Sequence, residues 1–351
     1  MRSSYNLEDV NILLKDITGL VEPLPAEIRE KKIQSGIHYC EMLPLEYQPS
    51  DKYMQAYEFA LKEYSKDTAD AVAKMAEKIF KLKGESLVIV SLARAGIPIG
   101  ILAKRYIEKR HGCKVRHYAI SIIRDRGIDH NAMRYILERH SAKDIQFVDG
   151  WVGKGAIFTE LYKELGQYPD IDKSLAVVSD PANLTDLCGT HEDILIPSSC
   201  LNAVVTGLIS RTFLKSDIIG DKDFHGAAYY SQLENTDLSN EFIDSIECNF
   251  DFDIDDYVER KNESGIEIVK NIARIYNVGN INYIKPGIGE ATRVLLRRIP
   301  WKILINKEYV GAKELEHIIQ LAKEKKVDIE ICGIDLGGYK VCGIIKQLAD
   351  V

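Results

Sequence analysis

The residues best placed to do chemistry together lie at 147–156, FVDGWVGKGA, where an aspartate, three glycines and a lysine fall within ten positions. An apolar run leads into Asp149 and a helical pattern follows Gly155, so the stretch reads as strand, glycine-spaced loop and helix start. Free N–H groups and the dipole at a helix start favour an anion. Gly153 and Gly155 allow close backbone approach to a phosphate, and Lys154 adds formal charge. Asp149 has the opposite sign, which suits a carboxylate that holds a sugar hydroxyl or a magnesium ion. Two more loops leave apolar runs in the same way. LVIVS at 87–91 runs into Arg94, Ala95 and Gly96, and HYAISII at 117–123 runs into Arg124 and Arg126. Any one such loop can simply turn the chain. Three cationic loops at successive strand ends point to a phosphate-bearing ligand.

A second set of reactive side chains lies at 186–200, DLCGTHEDILIPSSC, with His225 further on. A cysteine hydrolase needs a thiolate, a base within hydrogen-bond reach and a third group to orient the base. Cys188, with His191 or His225 and with Asp186 or Asp193, supplies those types. The alternative is that Cys188 and Cys200 pack in the core and His191 makes a local turn contact.

The elements that position these loops alternate. Helical spacing at 67–82 is followed by a strand at 87–91, a helix at 98–110, and strands at 117–123, 145–148 and 174–179. The order predicts a parallel sheet with helices on both faces, with ligands beyond the C-terminal strand ends. Glu27, Lys31 and Gln34 share one face of a helix that either caps the pocket or packs on the core. Past residue 265 the pattern is a helix from 287 to 298, a strand at 301–306, a helix at 312–325, a strand at 328–332 and a helix at 339–348, a small α/β/α layer. The segment 241–265 carries nine acids and two bases and reads as a solvated linker or surface helix. The boundary is placed there, giving units 1–265 and 266–351.

The charge is divided as well. Net charge is −7, yet residues 276–351 hold 12 basic and 9 acidic side chains, so a basic tail module sits on an acidic body. Seven cysteines without a CxxC pair argue against a disulfide framework and a structural zinc site. No apolar run reaches the ~20 residues of a membrane span, and the N-terminus lacks a signal-peptide core, so the expected setting is the cytoplasm.

FVDGWVGKGA together with SLARAG at 91–96 resembles the ribose-phosphate and pyrophosphate loops of type I phosphoribosyltransferases. With IQSGIHYCEML at 33–43 and the stretch 188–202, nearly the whole chain resembles a bacterial family found with tellurium-resistance stress operons. Its members join a phosphoribosyltransferase-like domain to a Pelota-type RNA-binding domain, and some are described as StiP-type cysteine proteases. The resemblance implies a type I phosphoribosyltransferase-like sheet that binds phosphoribosyl pyrophosphate with Mg2+ and transfers ribose 5-phosphate to a base-like acceptor. Asp149 would orient the ribose and bear on the metal. Arg94, Ala95 and Gly96 would hold the pyrophosphate, and Gly153, Lys154 and Gly155 the 5-phosphate. The segment from Arg124 to His130 would form a lid. Two departures stand out: Gly150 replaces the loop's second acid, and Lys154 a threonine. The other implied functions are a Cys-dependent peptidase using Cys188, His191 and His225, and a non-catalytic nucleotide or RNA sensor. In the tail, GIGEATR at 287–293 resembles the Pelota/kink-turn RNA motif, which places Gly289, Glu290, Arg293, Leu336 and Gly337 at RNA.

Overall fold

The computed structural model describes residues 1–259 and 264–347. Five parallel strands dominate the N-terminal body: β1 (Val88–Ala93), β2 (Arg116–Ile123), β3 (Ile145–Trp151), β4 (Leu175–Ser179) and β5 (Cys188–Thr190). Their order is β2-β1-β3-β4-β5, with a short strand Asn11–Ile12 beside β2. The chain runs from β1 outward to β2 and then returns to β3 on the other side of β1. The winding therefore reverses between β1 and β3, and the crevice at such a reversal is where open parallel sheets bind ligands.

Period-two alternation sends successive side chains to opposite faces. Val88, Val90, Leu92 and Phe147 pack with Met133, Ile136 and Leu161 on one face. Ile89 and Val148 pack on the other with Val72, Met75, Ile101 and Leu102. Both faces are thus buried, which is why these strands read as unbroken apolar runs. The helices that cover them are α1 (Asp51–Lys83) and α2 (Gly96–His111) on one face, and α3 (Ala156–Glu164) with the helix His130–Leu137 on the other.

The acidic segment, read as a solvated linker or a surface helix, takes the helical alternative at its start. Residues Ser239–Glu247 form helix α4, whose Phe242, Ile243 and Ile246 are buried against α1 and α2. Its acids face cations: Arg105 bonds Glu247 at 2.6 Å and Asp244 at 3.1 Å. Phe242, Ile243 and Ile246 give that helix its buried face, while its acids stay on the other.

The C-terminal module comprises α5 (Gly265–Ile275), β6 (Ile284–Pro286), α6 (Ile288–Arg297), β7 (Pro300–Asn306), α7 (Glu316–Glu324), β8 (Asp328–Cys332) and β9 (Val341–Ile345). Its sheet runs β6-β9-β7-β8, with β9 antiparallel to both neighbours. The helix expected at 339–348 is therefore a strand over Val341–Ile345. Its VCGII run is fully buried in the sheet centre, and a short apolar run cannot be told from a buried helix by periodicity. No helix among the described residues is long and apolar enough to cross a membrane.

Candidate functional site

The crevice between β1 and β3 opens into a cavity of about 350 Å³ whose far wall is the C-terminal module. Arg94, Ala95, Arg124, Asp149, Gly153, Lys154 and Gly155 all line it, so the loops singled out in the sequence do converge. Gly96 lies behind them, packed on the Val148 carbonyl. Gly155 adopts φ 91°, a left-handed turn that starts α3 and that a side chain would strain.

Each of these groups has partners within the protein. Arg94 is buried and donates to Glu46 Oε1 and to the Ile209 carbonyl, each at 2.6 Å. Asp149 Oδ1 accepts the Gly150 N–H at 2.7 Å, and burial pushes its carboxyl up to about 6. Asp149 is the one carboxylate at this loop, with Arg293 as a neighbouring charge; magnesium held chiefly by waters and phosphate oxygens takes one or two protein carboxylates. Among the described residues no group of three His, Cys, Asp or Glu side chains converges as a metal site. Lys154 Nζ donates to the Ile281 carbonyl at 2.5 Å, across to the C-terminal module. Burial, then repulsion from Lys285, pulls it down to about 7. Arg124 carries its guanidinium 5.5 Å above the Tyr39 ring, and its N–H donates to the Tyr39 hydroxyl.

The residues assigned to RNA face this same interface. A Cβ on Gly289 would lie 2.5 Å from the Trp151 indole, so only glycine allows the helix start this close. Arg293 stacks 4.2 Å above Trp151 and bonds Glu290 at 3.2 Å. Asp193 of the body accepts the N–H groups of Ile288 at 2.9 Å and Lys340 at 3.0 Å, capping α6 from across the interface. Leu336 is fully buried, so its side chain cannot meet RNA; its place is in the module's core. Gly337 lies half-buried in the adjoining loop, where its N–H donates to Asp335.

A second constellation sits at the edge strand. Cys188 Sγ on β5 lies 3.4 Å from His191 Nε2. His191 Nδ1 lies 3.0 Å from the Asp180 carbonyl oxygen and 3.7 Å from its carboxylate. A ring nitrogen facing a carbonyl oxygen carries the proton, which leaves Nε2 unprotonated; Sγ stands 3.8 Å from Nδ1 as well, so the thiol lies beside the ring, nearer Nε2. The Asp180 carboxylate accepts the N–H groups of Leu184 and Thr185, and burial raises it to about 7. Sulfur and imidazole are both buried, and burial pushes the thiol up to about 12.

His225 does not join them. Its Nδ1 meets Ser121 Oγ on β2 at 2.8 Å, four strand spacings from β5, or roughly 19 Å. Asp193 is engaged at α6, and Asp186 contributes its carbonyl to Lys78. Asp180, not singled out in the sequence, is the residue that faces His191 Nδ1; its place after the β4 run is the signal that could have found it. His38 and Cys40 were also overlooked as a pair. Nδ1 and Sγ stand 3.0 Å apart beside the cavity-lining Tyr39, and the His-x-Cys spacing was there to read.

A parallel sheet flanked by helices, a Cys–His pair on its edge strand and a small module docked over its strand ends define an α/β protein with a candidate thiol site. Residues 3–247 match the family described as "Tellurite-like stress resistance cysteine protease StiP", and residues 263–347 match the PELOTA RNA binding domain. The chain is 33% identical over 367 residues to "Cysteine protease StiP" of Acinetobacter baylyi, a match covering 98% of this chain and 94% of that protein. It belongs to the StiP family and carries a C-terminal Pelota RNA-binding domain. The family is named for proteolysis, which overturns the expected transfer of ribose 5-phosphate from phosphoribosyl pyrophosphate.

Proposed function

We propose that the chain is a cysteine peptidase with Cys188 as nucleophile, His191 as general base and Asp180 as the group that orients the base. The observation that carries this reading is the juxtaposition of the three residues: Cys188 Sγ lies 3.4 Å from His191 Nε2 and 3.8 Å from Nδ1, and Nδ1 lies 3.0 Å from the Asp180 carbonyl oxygen. In the reaction, Nε2 takes the thiol proton as sulfur attacks the scissile carbonyl. The imidazolium returns that proton to the leaving amine, and water then hydrolyses the thioester. The family name supports the same activity.

Burial of the thiol makes the docked form a latent one. The turn after β4 that holds His191 is covered by the C-terminal module: Gly265 N–H approaches the Ala182 carbonyl at 3.4 Å, and the Tyr339 hydroxyl donates to the Gly153 carbonyl at 2.8 Å. Activity on this reading requires the module to move. RNA contact by Glu290 and Arg293 requires the same movement, so RNA favours the open form. The N-terminal scaffold is, on this reading, a type I phosphoribosyltransferase-like sheet put to another use, supported by the winding reversal between β1 and β3. Seven unpaired cysteines suit a reducing cytoplasm.

The test is cleavage of a denatured-protein substrate with and without structured RNA. Cys188→Ala and His191→Ala should each lower the rate by at least about 10²-fold, with Cys40→Ala unaffected. Cleavage that survives Cys188→Ala and disappears in Cys40→Ala overturns the assignment.

A further inference from the structure

The cavity between the two parts of the molecule has a charge balance that the peptidase reading does not use. Eight lysine and arginine side chains line it against two carboxylates, Asp149 and Glu290. Some of the cations are matched: Arg94 by Glu46, Arg298 by Glu30, and Lys285 with Arg293 by the shared Glu290. Among the described residues, Lys154, Arg211 and Arg297 have no carboxylate within ion-pairing distance. Arg297 gives one donor to the Leu201 carbonyl, and its buried Nε has no hydrogen-bond partner among the described residues. The crowding shows in the electrostatics. Burial and the neighbouring cations Arg29, Arg298, Arg94 and Arg293 hold Arg211 down to about 9, and burial with Arg94 holds Arg297 well below its ordinary value. Like charges at this density cost free energy unless an anion occupies the space between them.

We propose that this cavity is a binding site for a compact oligophosphate anion, held by Lys154 and Arg211 from the body and by Lys285, Arg293 and Arg297 from the C-terminal module. Three features favour that class. The cations approach from two facing walls, so a chain of phosphoryl groups reaches more of them than a single phosphate does. Arginine forks match phosphate oxygens two at a time. The volume, about 350 Å³, falls in the ~300–1,000 Å³ range of small-molecule sites, whereas a nucleic-acid strand would have to pass between two docked units. Because its ligands come from both sides, the anion ties the module to the body. The proposal stands apart from the peptidase reading, since none of these residues belongs to the Cys188 site.

Calorimetry on the full chain tests it, with inorganic tripolyphosphate as one probe and a nucleoside 5′-triphosphate as the other. Saturable one-to-one binding is expected at about 1 mM or below, with a raised Tm and an affinity that falls with salt. Arg211→Ala and the milder Lys285→Gln should each weaken binding about tenfold or more. Near pH 8, binding should take up protons, because an anion draws Lys154 back to its charged form; the sign is read from buffers of different ionisation enthalpy. Equal affinity for both probes assigns the site to the phosphate chain alone, and tighter nucleotide binding assigns it to a nucleotide. The proposal is overturned by lack of saturable binding of either probe, by binding that both variants leave unchanged, or by binding confined to RNA.

Discussion

At the residue scale, the burial of Cys188 and His191 also fixes their geometry. The imidazole is held by the Asp180 carbonyl at 3.0 Å, so its tautomer is set before any substrate arrives. The residue types were legible in the sequence, because a cysteine and a histidine three apart are visible. It could not give Asp180, whose partnership with His191 depends on the turn after β4 returning over β5. Nor could it dismiss His225, whose distance follows from strand order. Lys154 shows the same limit: its charge was legible, but its partner was not, because the Ile281 carbonyl is 127 residues away. The lysine also sets a pH dependence. Its folded value, about 7, lies below its ordinary value of 10.5. The unfolded chain therefore binds more protons between those values, and stability rises with pH across that interval. Compared with Lys154→Met, the wild type should gain in Tm from pH 7 toward pH 10. Parallel Tm curves for the two proteins would contradict this.

At the element scale, the start of α6 decides how the module sits. Its capping group is Asp193 of the body, and its close neighbour is the Trp151 indole. Gly289 stands where the resemblance has asparagine, and the structure supplies a reason: any side chain there meets an aromatic ring. Gly289→Asn should push α6 off Trp151, lower Tm by several degrees, equivalent to about 1–3 kcal/mol of overpacking, and speed hydrogen exchange in the first turn of α6. Unchanged exchange there would mean that the helix start is not clamped. The strands of the body were legible because two buried faces leave continuous apolar runs. The strand Val341–Ile345 was not, since its place between β6 and β7 depends on pairings the local pattern does not encode.

At the scale of the whole molecule, the acidic body and basic tail visible in the sequence meet as a docked pair. Arg298 clasps Glu30 at 2.6 and 2.9 Å, and Glu30 is almost wholly buried. The helix Ala26–Gln34, whose role the sequence left open between capping a pocket and packing on the core, is thus the body's grip on α6. Removing one partner of such a pair costs about 3–5 kcal/mol, which makes Arg298→Glu a means of opening the molecule. Restoring the pair in reverse, with Glu30→Arg added, should close it again. The measurement that tests the central claim most directly is the mass-spectrometric site of adduct formation by a peptidyl fluoromethyl ketone, read in the wild type, in Arg298→Glu and in the reversed pair. The account predicts an adduct on Cys188 that forms slowly in the wild type, at least about tenfold faster in Arg298→Glu, and slowly again in the reversed pair. An adduct on Cys40 in place of Cys188, or a Cys188 that stays unmodified when the molecule is opened, would contradict it.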